Sequence, residues 1–156
     1  MRITNHTKFP NETLREIIRF TKPSGVSGFD LVVKTAGKHQ SCNSGYCYHE
    51  GCPSYHGKIG DKVVPLITMR VSFKPNFPRR GHGGEGYLPH VTFSLVENVV
   101  FILAHELRHL WQKKVPRGRR VWGARGQFSE RDADAYAIHV VREWRRKPTL
   151  QEAHCG

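Results

Sequence analysis

The sequence predicts an α+β domain, and three observations predict it. Three segments, 11–21, 94–114 and 129–147, carry apolar residues at helical spacing behind a capping residue. Two others, 29–34 and 64–73, are rich in β-branched and aromatic residues, the second in alternation. The order helix, strands, helix, helix groups the strands instead of alternating them with helices. At 156 residues the chain is read as one domain, 1–156, long enough for a real core and free of repeats or low-complexity tails.

The elements follow in order. The first helix takes Asn11 as its cap and sets Leu14, Ile17 and Ile18 on one face; Lys22-Pro23-Ser24-Gly25 ends it. Phe29 to Lys34 reads as a strand through Leu31-Val32-Val33. The stretch 36–62 reads as a long irregular segment. From Val64 to Phe73, Ile67, Met69, Val71 and Phe73 alternate with Thr68, Arg70 and Ser72, the period of a half-buried strand. Lys74 to Gly86 is a Pro- and Gly-rich loop; its His82-Gly83-Gly84-Glu85-Gly86 lacks the Gly-Lys-Ser/Thr ending of a phosphate loop. Tyr87 to Phe93 reads as a third strand. Ser94 and Glu97 then form a capping box. Behind it, Val96, Val99, Val100, Ile102, Leu103, Leu107, Leu110 and Trp111 cover most of a helix surface, so this helix is buried. The last helix opens on Ser129 with Asp132 at its third position and stops at Pro148, after Arg145, Arg146 and Lys147.

The buried helix carries His105-Glu106-Leu107-Arg108-His109. Two His at i and i+4 stand one turn apart on one face, a spacing that lets both imidazoles reach one Zn²⁺. Glu106 lies beside them, where it can act as general base on a water. Two His, a Glu and an Arg inside an apolar helix need partners, because unpaired polar burial is costly. A metal supplies one for three of them; the competing reading is a core helix whose His residues are satisfied by hydrogen bonds. Catalytic zinc keeps three protein ligands and one open position. No His follows His109 until His139, and the last helix offers carboxylates instead: Glu130 and Asp134, four apart on one face. One can bind the metal while the other accepts a hydrogen bond from a ligand imidazole.

His105-Glu106-x-x-His109 followed by Glu130-x-x-Ala133-Asp134 resembles the gluzincin branch of the zincin metallopeptidases, to which many small bacterial and phage peptidases belong. The resemblance covers roughly 94–145. It implies a zincin-like domain with a small mixed sheet, an N-terminal helix and two zinc-bearing helices. It implies His105, His109 and Glu130 as zinc ligands, Glu106 as general base and Asp134 as the carboxylate behind a ligand imidazole. It further implies a zinc-dependent peptidase acting on a protein or peptide, with one strand edging the cleft so that an extended substrate adds to it. The SprT-like branch is a more distant likeness, since it usually takes a His as third ligand. The oxyanion needs a donor beyond the metal; the candidates are Tyr136 and His139 on the last helix, with Tyr87, His82, His90 and Arg131 beside them.

Net charge is +12, from 25 Lys and Arg against 13 Asp and Glu. The excess is local: Lys113, Lys114, Arg117, Arg119, Arg120 and Arg125 stand without an acid among them, around Trp122, between the two zinc-bearing helices. Such a segment fits a nucleic-acid contact, an acidic partner, or a solvated loop of a basic protein. The alternative to a free-standing peptidase is therefore a nucleic-acid-binding zinc protein or a DNA-dependent, SprT-like protease. The segment 36–62 holds His39, Cys42, Cys47, His49, Cys52 and His56. Cys42, Cys47, Cys52 and His49 could form a second, structural zinc knuckle, with Cys155 as another thiol; a disulfide and free thiols are the other readings. No stretch of about 18 apolar residues spans a membrane. Met1 to His6 lacks the apolar core of a secretory leader, so a reducing cytoplasm is the expected setting.

Overall fold

The computed structural model describes residues 1–37, 43–49, 63–74, 76–84, 86–116 and 129–147. Among them the elements run β1 (Ile3–Asn5), α1 (Asn11–Thr21), β2 (Asp30–Thr35), β3 (Ser44–Tyr48), β4 (Leu66–Val71), β5 (Arg79–Gly81), β6 (His90–Thr92), α2 (Leu95–Lys114) and α3 (Glu130–Arg145). The α+β class is as expected, with a small mixed sheet, an N-terminal helix and two helices that carry the candidate metal ligands.

The sheet has the order β1-β2-β4-β3. The first three strands are parallel, with Ile3 beside Leu31 and Leu31 beside Ile67. β2 lies between two strands, so both its edges are paired, and Leu31, Val32 and Val33 are buried on its two faces. β3 runs antiparallel to β4, Cys47 opposite Ile67, and occupies the end of the sheet. α1 packs on α2 through Leu14, Ile17 and Ile18, residues three and four apart that are fully or nearly fully buried. Pro10 precedes the first turn of α1, and the Asn11 side chain accepts from Asn5 at 2.9 Å instead of capping its own helix.

Four elements depart from the sequence reading. β1 had no counterpart in it. β3 lies within the stretch read as irregular, and β5 within the loop 74–86. The expected strand 87–93 shortens to β6 and leaves the main sheet, pairing with β5 as a separate two-stranded ribbon, Gly81 opposite His90.

α2 is the centre of the molecule. Val99, Val100, Leu103 and Leu107 have no exposed surface, and burying each side chain stabilises by about 1.5–3 kcal/mol. The Ser94 hydroxyl accepts from the Glu97 N–H at 3.1 Å as predicted, while Glu97 reaches back to the Phe93 N–H at 2.7 Å. Glu97 also pairs with Arg145 at 2.8 Å, tying the start of α2 to the end of α3. At the opposite end, Ser129 caps α3 by accepting from Asp132 N–H at 3.1 Å. Arg108 grips Asp132 with two hydrogen bonds, at 2.7 and 3.0 Å, and its guanidinium lies 3.6 Å over the Trp111 ring. That pair supplies the partner a buried-helix arginine requires and sets the two helices side by side.

Candidate metal centre

The i, i+4 spacing on α2 brings the imidazoles of His105 and His109 together, their Nε2 atoms 3.1 Å apart. Glu130, the first residue of α3, completes a triangle: its Oε2 lies 3.0 Å from His105 Nε2 and 3.4 Å from His109 Nε2. Ligands about 2.0–2.1 Å from a tetrahedral metal stand roughly 3.3 Å from one another. The three edges therefore have the size of one face of such a coordination shell.

Hydrogen bonds behind the imidazoles fix what the triangle presents. His105 Nδ1 lies 2.8 Å from Asp134 Oδ1 and donates to it. Asp134 is itself held, since its Oδ2 accepts from the Leu88 N–H at 2.7 Å. Behind His109 stands Gln112, which has no exposed surface. Its Nε2 donates to Ser129 O and to Asp132 Oδ2, both at 2.9 Å, and its Oε1 accepts from the Ser129 N–H at 3.1 Å. That arrangement settles which end of the amide is oxygen. His109 Nδ1, 2.9 Å from the same Oε1, must therefore be a donor. With both Nδ1 atoms protonated, both Nε2 atoms offer lone pairs, and they meet a carboxylate oxygen. Three acceptors converging at 3 Å repel unless a cation lies among them. These residues fit a divalent metal, and they form the group of potential metal ligands found among the described residues.

The charges behave accordingly. Burial disfavours the imidazolium of His105, but hydrogen bonds to Asp134 and Glu130 and the nearby charges of Glu106 and Asp134 outweigh it, raising its pKa to about 9. The neighbouring imidazoles of His105, then His109, hold the Glu130 carboxyl far below the usual carboxylate range. Without a metal, a proton takes its place. Glu106 is buried beside the triangle; desolvation pushes its pKa up, against the opposing pull of His105 and His109. Tyr87 lies over the site, its ring parallel to His105 at 6.4 Å. Burial, then the charges of Glu130, Asp134 and Glu106, push its hydroxyl above the ordinary tyrosine range.

The triangle opens on a trough that extends both ways along α2. Toward the C-terminal half of α2 it is walled by Tyr46, Cys47 and His49, with about 380 Å³ of space. Toward the N-terminal half it runs between β3 and the β5-β6 ribbon, with about 320 Å³. β3 comes this close because Gly45 faces α2: a Cβ there would lie 2.6 Å from Glu106 Oε1 and 2.7 Å from Ile102 Cγ2.

His105, Glu106, His109, Glu130 and Asp134 are thus brought together. Tyr136 and His139 are not. Tyr136 donates to Thr21 O at 2.7 Å, locking α3 to α1, and His139 is exposed and lines neither arm of the trough. On a helix, positions six and nine residues past Glu130 lie about 120° and 180° around from it, so both oxyanion candidates face the wrong way. Tyr87, another of the candidates, stands over His105 and lines the trough. Of the proposed second metal set, Cys47 and His49 are described and stand in the wall of this same trough, Sγ to Nδ1 at 3.6 Å. Burial, then the charge of Glu106, pushes the Cys47 thiol up, so it remains a thiol. Cys42, Cys52 and Cys155 lie outside the described residues, as do Arg117, Arg119, Arg120 and Arg125. Lys113 and Lys114 are exposed at the end of α2, and Lys114 donates to Gly25 O. Gln112 was missed: its partners Ser129 and Asp132 lie 17 and 20 residues on, and only its place three residues past the second His hinted at a role.

Fold and site together define a protein with a metal-binding, protease-like centre. The chain matches no family model, no curated protein and no solved structure. No helix among the described residues is long and apolar enough to cross a membrane.

Proposed function

We propose that the protein is a zinc-dependent peptidase of the gluzincin type, with His105, His109 and Glu130 as ligands. The observation that carries this reading is the convergence of three lone-pair-bearing atoms with 3.0–3.4 Å edges, open to a trough beside a buried glutamate. Two His and a carboxylate are a catalytic zinc set that leaves one position for chemistry. Zinc, when bound, acidifies a water and polarises the scissile carbonyl. Glu106, its proton affinity raised by burial, takes the proton from the attacking water and delivers it to the leaving amine. Tyr87 retains its proton and donates it as a hydrogen bond to the developing oxyanion. Among the described residues β3 is the last strand of the sheet and runs beside Glu106, which suits an extended peptide lying along it.

The test is cleavage of a fluorogenic protein substrate by zinc-loaded protein and by Glu106→Gln. The variant should lose about 10²–10⁴-fold in rate, the usual weight of a general base, with zinc content unchanged. Cleavage that survives the substitution overturns the reading.

A further inference from the structure

The N-terminal arm of the trough has a chemistry of its own. Its floor is Phe101 and Ile102 of α2, and its far wall is the β5-β6 ribbon. The only carboxylates among its described lining residues are Glu106 and Asp134, both already assigned at the metal end. The remaining charged lining residues are cationic, with Arg79 and Arg80 on β5.

The register says which arginine faces the cleft. Side chains alternate along a strand, and cross-strand partners share a face. Arg79 pairs with Thr92 and Gly81 with His90, and both partners line the cleft. Arg80 pairs with Val91, which is exposed and lines the groove on the other side of the ribbon. Arg79, half-buried and paired with the buried Thr92, is therefore the inward residue, while Arg80 also lines the cleft but is exposed. The wall between them is fixed. His90 lies flat on Phe101, centroids 3.7 Å apart, and fits there because Gly81 lacks a Cβ, which would sit 2.1 Å from its ring. An arginine on such a wall carries five donors in a planar fork that matches a carboxylate.

We infer that this arm is a subsite for a substrate carboxylate next to the scissile bond, with Arg79 as the specificity-determining residue. The inference rests on the peptidase reading. The carboxylate has two possible sources, an acidic side chain or the C-terminus of the substrate, and the acidic side chain and free terminus are told apart by the peptides chosen.

The experiment uses three peptides of one length on an Ala background. One carries a central Glu and an amidated end, one a central Lys and an amidated end, and one no charge but a free C-terminus. Cleavage is followed with zinc-loaded protein, and binding by fluorescence anisotropy with zinc-loaded Glu106→Gln, which reads the subsite even if no peptide is cut. The Glu peptide or the free-ended peptide should be favoured over the Lys peptide by about tenfold or more, as one charge-assisted hydrogen bond allows. Arg79→Glu should abolish or invert that preference, and Arg80→Glu should leave most of it. A preference for the Glu peptide assigns the subsite to a side chain, and one for the free end assigns it to the terminus. Failure of all cleavage with the binding preference intact would sink the peptidase and keep the carboxylate site. Equal binding of all three, or a preference indifferent to Arg79→Glu, overturns the inference.

Discussion

Gln112 is the residue on which the metal centre's geometry depends most, though it touches no metal. Replacing it with Ala removes four hydrogen bonds: those to His109 Nδ1, to the Ser129 N–H, to Ser129 O and to Asp132 Oδ2. At a net 0.5–1.5 kcal/mol each, the loss is roughly 2–6 kcal/mol, a large part of a small domain's stability. The damage is also directional. His109 loses the acceptor that fixes its tautomer, and Ser129, the cap of α3 and the neighbour of Glu130, loses its tie to α2. Residues behind metal ligands usually account for 10–100-fold in metal affinity. Urea denaturation of the metal-free protein reads the first effect, and zinc titration against a chromophoric chelator reads the second. Gln112→Glu separates them. It keeps the acceptor for His109 and the Ser129 N–H, but loses the donor to Ser129 O and sets a second carboxylate where the amide now stands 2.9 Å from Asp132. It should therefore lose stability while retaining more zinc affinity than Gln112→Ala. An Ala variant that binds zinc within about twofold of the unaltered protein, at undiminished stability, would refute the argument that this side chain orients His109.

Other outcomes follow from the same geometry. Gly45→Ala puts a methyl against Glu106 and Ile102, so peptidase activity should fall at a stability cost of about 1–3 kcal/mol, read by rate and by thermal melting; unchanged activity would mean that β3 does not constrain the base. Tyr87→Phe should lower kcat more than it raises KM, because the hydroxyl is assigned to the transition state; an effect on KM alone would remove it from that role. The pKa of His105 rises on folding from its ordinary 6.5 to about 9, so its contribution to the metal-free protein is complete below about pH 6.5 and is lost as pH rises through about 9. The urea midpoint of metal-free protein should fall over that window. The zinc-loaded protein should not show this fall, since zinc replaces the proton; parallel pH curves for the two forms would count against metal binding at His105.

How much of this was legible in the sequence depends on whether a residue's role is local. His105, Glu106 and His109 are related by helix spacing alone, and Glu130 and Asp134 by the same spacing on a second helix, so pattern sufficed. β1 and β3 were not legible. β1 is three residues long, too short for a period. β3, as the last strand of the sheet, exposes Ser44 and Tyr46 and buries only Cys47, which leaves no apolar alternation to find. Gln112 acquires its role from Ser129, 17 residues away, and Tyr87, one of several oxyanion candidates, is set over His105 by folding that spacing does not encode. Tyr136 shows the converse: residue type suggested an oxyanion donor, while its angular position on α3 turned it toward α1.

The most direct test of the account is the metal content of protein purified without added metal, measured by elemental mass spectrometry on the unaltered chain and on His105→Ala. The account predicts one equivalent of zinc that disappears in the variant while the fold, read by circular dichroism, persists. A folded protein with no divalent metal, or metal content indifferent to His105→Ala, would contradict it.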